Sequence, residues 1–325
     1  MQKLYFLAKK MNFPLLSQLK TAFVKNPAFK PHLFTLLAML FWGISYIWSK
    51  EVFNYLEPAT TVWFRLIISV LFFLGYFRWK HQKISIKRAH WGLLIVASFF
   101  NPFLYFIGES YGLQRISPTI SAVIISTIPL FTPVFAFLFL RERLKPLNIL
   151  GLFISFAGIL IMVIDRTLGF TASPVGLAFL FLAVFSAIVY GIILKKLTYS
   201  YDAVTIVFIQ NLMGIIFFAP VVFGIEYEGL SSIEWHVSWL ISLVLLGVFA
   251  SSLAFVFFTH GVHKLGITKS TIYTNIIPVF TAFFSFLIIG ESITFDKLVG
   301  IACVIIGVML SQIKKSTGKI KVRSV

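Results

Sequence analysis

Two apolar stretches of this chain carry the same pattern of residues 149 positions apart. The first runs from Ser121 to Glu142 and the second from Ser270 to Glu291. The shared positions, including two glycines that follow each stretch, pair Ser121 with Ser270, Pro129 with Pro278, Phe131 with Phe280, Thr132 with Thr281, Phe135 with Phe284, Phe137 with Phe286, Leu138 with Leu287, Glu142 with Glu291, Gly151 with Gly300 and Gly158 with Gly307. Hydrophobicity alone does not align prolines, acids and glycines, so we interpret the pattern as an internal duplication.

Each copy is about as long as a helix that crosses a membrane. Each also holds a proline in its interior, which a soluble helix rarely tolerates because the ring removes a hydrogen bond and clashes one turn back. The whole chain of 325 residues is 59% hydrophobic and 12% charged, against about 25% charged residues in a typical soluble domain. These features predict an all-α integral membrane protein.

Apolar runs recur along the rest of the chain, and each is close to the ~17–25 residues that a membrane span needs. They lie at about 33–50, 60–77, 91–110, 118–140, 148–164, 174–194, 203–223, 237–259, 269–289 and 298–312. The sequence therefore predicts ten transmembrane helices. The basic segment 1–31 precedes them, and the basic tail 313–325 follows them.

The basic residues predict how these helices are oriented. With the N-terminus inside, 23 of the 28 Lys and Arg residues fall in tails and loops on the inner side. Positive charge on the cytoplasmic side is the rule for inner and plasma membrane proteins. We therefore expect both termini in the cytoplasm, and we attribute the net charge of +17 to topology rather than to a nucleic-acid partner.

Ten spans in two copies give five spans per repeat, which we place at 32–165 and 173–312. Because five is odd, the second repeat enters the membrane from the opposite side, and the two repeats are inverted. Inverted repeats are typical of secondary transporters, in which the substrate binds near the midplane between the repeats and access alternates.

Several motifs resemble those of one transporter family. Phe41-Trp42-Gly43-Ile44-Ser45, with Lys50 following, is similar to that family's first span, and Pro58 followed by Trp63-Phe64-Arg65 is similar to the entry into its second span. The duplicated Pro, Glu and Gly series resembles the hallmark of both repeats. On these motifs the chain resembles the EamA-type transporters of the drug/metabolite transporter superfamily over about 33–312. The resemblance implies ten helices, inverted halves, and export or exchange of small metabolites.

The helix breaks direct attention to a candidate substrate site. Pro129, Pro278 and Asn101-Pro102 free backbone groups, and in lipid such groups need protein or a watery cavity as partners. Polar and aromatic side chains fall near these breaks or deep in the first and sixth spans; they are Trp42, Tyr46, Asn101, Tyr105, Ser126, Tyr190, Thr274 and Asn275. We expect them to contact the substrate, and the alternative is that they only pack helices together.

Two pairs among these residues are equivalent in the two copies. Ser126 and Asn275 each precede a proline by three residues, and Tyr46 matches Tyr190 at an offset of 144. We therefore expect Tyr46, Asn101, Ser126, Tyr190 and Asn275 to surround one cavity near mid-membrane.

Arg65 is the basic residue that lies well inside a span. A central arginine costs about 2.5–3.5 kcal/mol on insertion scales, so it is rarely accidental. It could extend to the membrane surface, form a charge pair with Glu109, or contact an anionic substrate.

The composition also bears on the class of function. No metal-ligand, catalytic-triad or nucleotide motif occurs, so the sequence predicts no enzyme activity, no metal and no cofactor.

The predicted function is secondary transport of a small organic metabolite by alternating access, with membrane lipid and that solute as the partners. A flippase for lipids or lipid-linked substrates is the alternative, and a membrane-embedded enzyme is a further one. The substrate, the coupling ion, the direction and the oligomeric state are not predicted.

Overall fold

The computed structural model describes residues 29–131, 146–163, 172–231 and 236–312, and every regular element in these ranges is helical. The longer helices, numbered along the chain, are α1 Phe29–Val52, α2 Pro58–Lys80, α3 Arg88–Arg115, α4 Pro118–Phe131, α5 Pro146–Val163, α6 Pro174–Leu197, α7 Ala203–Gly224, α8 Val237–Leu265, α9 Lys269–Ile289 and α10 Phe295–Gln312. A short helix, Tyr227–Ser231, lies between α7 and α8. Glu142 and the tail 313–325 lie outside the described residues.

Seven of these helices are long and apolar enough to cross a membrane, namely α1, α2, α3, α6, α7, α8 and α9. The apolar part of α5 and the whole of α4 are shorter. Large apolar side chains such as Leu71, Phe153 and Ile216 point outward with more than half of their surface exposed. Such a surface is stable in lipid rather than in water, so the chain is a multi-pass helical membrane protein.

The first helix begins slightly earlier than the sequence predicts. α1 starts at Phe29, so the last three residues of the predicted basic segment are helical. Pro31 is compatible with this start because a proline in the first turn removes only an amide that has no partner within the helix. Residues 1–28 lie outside the described ranges.

Two long helices contain a wide turn at matching places. In α3 the turn is Phe99–Leu104, and Asn101 within it leaves helical geometry at φ −147° and ψ 117°. In α8 the turn is Leu246–Leu253. At the offset of 149, these two turns occupy equivalent positions in the two copies of the duplicated pattern. The break expected at Asn101-Pro102 is therefore present, and α8 repeats the wide turn although it has no proline there.

The prolines of α4 and α9 also follow breaks. The regular part of α4 ends at Ile125, and a turn at Ser126 and Thr127 precedes Pro129. In α9 a 3-10 turn, Tyr273–Ile276, precedes Pro278 in the same way. Because proline donates no backbone hydrogen bond, the preceding turn is where a regular helix is lost.

Side chains from other helices satisfy carbonyl groups at the two wide turns. Trp42 Nε1 on α1 donates to the Ala250 carbonyl at 3.2 Å, and Ser186 Oγ on α6 donates to the Phe100 carbonyl at 2.6 Å. Trp42 and Ser186 are equivalent at the offset of 144. Freed backbone groups inside a membrane require such partners, so α1 and α6 are held against the breaks in α8 and α3.

Helices at equivalent places in the two copies pack directly on each other. α5 contacts α10, and α2 contacts α7. A side chain at Gly158 would come within 2.7 Å of the Gly300 carbonyl, and one at Gly307 within 2.6 Å of the Gly151 carbonyl. Only glycine permits this approach of the two backbones, which explains why the glycines recur in both copies. α1 and α6 both border a cavity.

Candidate functional site

A cavity of about 60 Å³ lies between the broken helices. A water molecule needs about 10–15 Å³, so the cavity has room for a few waters. The helices that form its wall include members of both copies, α1, α3 and α4 from the first and α6, α8 and α9 from the second. The lining residues are Trp42, Tyr46, Asn101, Tyr105, Glu109, Ile125, Ile128, Ala187, Tyr190, Gly191, Phe255, Phe258, Ile267, Thr271, Thr274 and Ile277.

Glu109 is the carboxylate of this cavity, and two phenols hold it. Tyr46 on α1 and Tyr105, one turn earlier on α3, both donate their hydroxyl protons to Oε1 of Glu109, at 3.1 and 2.8 Å. Residues four apart on a helix share one face, which brings Tyr105 onto Glu109. A carboxylate has about four lone-pair sites, so acceptor capacity remains on Oε2.

Arg65 lies beside this group on α2 and is buried. Its Nε donates to Ser251 Oγ on α8 at 2.7 Å, and its guanidinium lies 4.5 Å from the centre of the Phe106 ring. The charge of Glu109 acts favourably on Arg65, yet no direct ion pair joins the two in the described part of the chain. The direct contacts of Arg65 are the Ser251 hydroxyl and the face of the Phe106 ring. The charge pair between Arg65 and Glu109 stays a prediction.

A buried polar cluster continues from Arg65 toward α7. Ser69 and Ser252 are 2.6 Å apart through their hydroxyl oxygens, and Asn211 Nδ2 donates to Ser69 Oγ at 2.7 Å and to the Ser251 carbonyl at 3.0 Å. These bonds join α2, α7 and α8 next to the wide turn of α8. Buried polar groups that satisfy one another stabilise a specific arrangement of helices.

On the α6 side, Tyr190 is the aromatic residue that corresponds to Tyr46. Its hydroxyl donates to Gln210 Oε1 on α7 at 3.2 Å. Tyr46 contacts a carboxylate and Tyr190 an amide, so the two halves of the cavity differ in chemistry. The acidic half lies between α1 and α3.

Six of the predicted site residues border this one cavity; they are Trp42, Tyr46, Asn101, Tyr105, Tyr190 and Thr274. Ser126 and Asn275 are buried but are not among the lining residues. Ser126 Oγ donates back to the Val123 carbonyl of its own helix at 2.7 Å, and the Asn275 amide has no hydrogen-bond partner among the described residues. Whether any of these residues contacts a substrate remains a prediction.

The sequence did not single out several residues of the wall. Phe255 and Phe258 pack against the Trp42 ring at 5.0 and 5.2 Å between ring centres. Nothing in the sequence distinguishes these two among 38 phenylalanines. Glu109 was predicted as the partner of Arg65 and not as a cavity residue, because its phenol donors come together only when α1 packs on α3.

Two lysines donate hydrogen bonds to carbonyl groups near the ends of α3 and α8. Lys50 Nζ on α1 donates to the Leu113 and Gln114 carbonyls at the end of α3, at 2.9 and 3.0 Å. Lys195 Nζ on α6 donates to the Val262 carbonyl near the end of α8 at 3.2 Å. The carbonyls of Leu113 and Val262 are 149 positions apart. Cations favour helix C-termini, where carbonyls lack partners within the helix.

Glu291 follows α9 in the loop before α10. Burial raises the pKa of this carboxyl, but hydrogen bonds from Lys297, Ser117 and Thr119 and the charge of Lys297 outweigh burial and hold the pKa below its ordinary value. Lys297 Nζ lies 3.0 Å from Oε1, and Thr119 donates to Oε2 at 2.9 Å. Glu291 therefore ties the start of α4 to the start of α10.

Comparison with known families gives a match to the EamA-like transporter family over residues 29–164 and again over 174–312. The chain belongs to the EamA-like transporter family. Each match covers one copy of the duplicated pattern, and together they cover most of the chain.

Relatives of this EamA-like chain carry the same general description. An uncharacterized transporter of Archaeoglobus fulgidus is 24% identical over 288 residues, which are 88% of this chain and 98% of that protein. The uncharacterized transporter YetK of Bacillus subtilis is 27% identical over 77% of this chain and 76% of that protein. A solved structure described as a crystal structure of protein aligns with a TM-score of 0.65 at 15% identity, over 87% of this chain and 96% of that one. That likeness concerns the fold alone.

Proposed function

We propose that this chain is a secondary transporter that moves a small organic solute by alternating access through the cavity between its two copies. The observation that carries the proposal is the wall of that cavity, to which both matched segments contribute broken helices. Transporter sites are typically built in this way, near the midplane and between repeats. In this proposal Trp42, Tyr46, Asn101, Tyr105, Tyr190 and Thr274 contact the solute.

Ten membrane spans in two inverted repeats of five are part of the proposal. Paired contacts support it. α1 packs on α9 as α6 packs on α4, and α2 packs on the wide turn of α8 as α7 packs on that of α3. The hydrogen bonds from Trp42 and Ser186 to the wide turns form another such pair. A pseudo-twofold axis in the membrane plane would generate each contact from its partner.

The orientation follows from the basic residues. Most Lys and Arg residues fall on the side that holds the connections α2–α3 and α6–α7. We place this side and both termini in the cytoplasm of a cell whose inner or plasma membrane holds the protein.

The size of the cavity supports a moving site. Typical small-molecule pockets enclose about 300–1,000 Å³, which is larger than the space of about 60 Å³ found here. We therefore infer that the solute binds in a state with a wider cavity. Admission of a solute requires the helices of one copy to move against those of the other.

Filling the cavity should stop transport without unfolding the protein. Ala187 on α6 lines the cavity, and Ala187→Leu adds three carbons there. We expect cells that express the wild-type chain to change the medium-to-cell ratio of at least one small organic solute, and the Ala187→Leu variant to lose most of that change. Untargeted comparison of metabolites in medium and cells measures this ratio.

The matched control lies on the same helix. Ile192 is 51% exposed, so Ile192→Phe adds apolar volume on the outer surface and should transport as the wild type does. Thermal unfolding in detergent verifies that both variants are folded. Equal solute ratios with wild type, Ala187→Leu and no protein would contradict the proposed function.

A further inference from the structure

We propose that Glu109 is a proton-binding site within the cavity and carries the proton that is exchanged during transport. Glu109 lines the cavity, and Tyr46 and Tyr105 hold its Oε1 oxygen, so we assign the proton to Oε2. The proposal rests on the function proposed above for its role in transport. Proton binding by Glu109 can be tested without knowledge of the solute.

The geometry fixes one oxygen of the carboxylate and leaves the other for exchange. Both hydrogen bonds to Glu109 from described residues end on Oε1, and their donors stand on two different helices, α1 and α3. Glu109 is only partly buried, so part of its surface remains accessible from the cavity. The cavity has room for a few waters, which are the ordinary carriers of protons to a buried carboxylate.

The surroundings allow both forms of the carboxyl group to exist. The titratable or charged groups that face it are Tyr46 from α1, Arg65 from α2, Tyr105 from its own helix, and Tyr190 from α6 across the cavity. The wide turn of α3 and the segment of α4 packed beside it carry no titratable side chain. Arg65 favours the carboxylate through its charge, yet bonds directly to Ser251 instead. The cation therefore keeps a partner when the carboxylate is neutralised.

The proton transfer conserves atoms and charge. A hydronium ion in the cavity gives its proton to Oε2, which forms an O–H bond and leaves a neutral water molecule. The reverse step returns the proton to water when the cavity opens to the other side. Intramembrane carboxylates that carry protons are a recurrent part of pumps and transporters.

Competition at Oε2 would couple this proton to a solute. A solute that places a positive charge or a hydrogen-bond donor on Oε2 occupies the atom that the proton needs. Binding of one therefore releases the other, which makes exchange of solute for proton the coupling that this geometry favours.

Infrared difference spectroscopy of the full chain in lipid vesicles, titrated with pH, tests the site with the proton itself as the ligand. We expect the wild type to gain a protonated-carboxyl band on acidification that Glu109→Gln lacks. Asp296→Asn is the matched control, because Asp296 is an exposed carboxyl at the start of α10, and this variant should retain the band. Tyr105→Phe keeps the carboxyl group but removes one donor to Oε1, and should move the midpoint of the band.

The outcomes separate the two proposals. Identical spectra from wild type and Glu109→Gln at every pH would overturn the proton site, whatever the metabolite comparison shows. If Glu109→Gln does not fold, the Tyr105→Phe titration decides: an unmoved midpoint for every carboxyl band overturns the site. A Glu109 band together with no transported solute would leave the proton site standing and contradict the transport function.

Discussion

At the scale of single residues, Arg65 shows how a charge is kept inside a helical bundle without a direct ion pair. Its Nε donates to Ser251 Oγ, and its guanidinium lies over the Phe106 ring. A hydrogen bond to a charged group contributes about 1.5–3 kcal/mol, and a desolvated cation over an aromatic ring contributes about 2 kcal/mol. Together, at about 3.5–5 kcal/mol, these match or exceed the ~2.5–3.5 kcal/mol cost of a central arginine on insertion scales.

Ser251→Ala should therefore lower the free energy of unfolding by about 1.5–3 kcal/mol, because it leaves the buried guanidinium without its hydroxyl partner. Ser98→Ala is the matched control, since Ser98 is equally buried but donates to the Leu94 carbonyl of its own helix. Chemical unfolding in detergent measures both. Similar losses in the two variants would show that the Arg65 contact adds nothing beyond the packing of a small side chain.

At the scale of helices, each of the two helices that contain a wide turn has its end bonded by a lysine from the first helix of its own copy. Lys50 reaches the end of α3, and Lys195 reaches the end of α8. The distances are shorter for Lys50, and its carbonyl partners are partly buried. The α3 end is therefore expected to depend on its lysine more strongly than the α8 end.

Lys50→Met should destabilise the protein by about 1–3 kcal/mol, because it leaves partly buried carbonyl groups unsatisfied. Lys195→Met should cost less, since the Lys195 bonds are longer and one of them is exposed. Lys196→Met removes the same charge from an exposed neighbour and should be close to neutral. Unfolding midpoints of the three variants give the order, and an equal loss in all three would assign the effect to net charge rather than to the helix ends.

At the scale of the whole molecule, the proposed inverted arrangement would place the α1–α2 and α7–α8 connections on one side of the membrane and the α6–α7 connection on the other. Two strongly exposed side chains lie in these connections, Ile225 at 77% exposure after α7 and Tyr199 at 75% after α6. Both positions tolerate a cysteine because neither packs in the core.

A membrane-impermeant maleimide should label Ile225→Cys in intact cells and Tyr199→Cys only after the membrane is opened. The unmodified chain, whose single cysteine is Cys303 on α10, is the control for background labelling. The reverse labelling pattern would show that the protein has the opposite orientation in the membrane. Labelling of both positions from the same side would contradict the inverted repeats.

Much of the architecture could be predicted from the sequence because lipid imposes simple rules. A span must be long and apolar, and a backbone break must be satisfied by protein or water. The duplicated prolines therefore indicated the breaks in α4 and α9, and Asn101-Pro102 indicated the break in α3. The wide turn of α8 has no proline, and only its place in the duplicated pattern related it to α3.

The sequence by itself determined that this chain is a helical membrane protein with a duplicated pattern, since composition and repeated Pro, Glu and Gly positions are local properties. The tertiary structure decided which polar residues share a cavity. Ser126 and Asn275 are equivalent in sequence, yet neither borders it, because a rotation about the helix axis selects the face of a side chain. Glu109 borders it because helix packing brings Tyr46 from α1 onto a carboxylate 63 positions away.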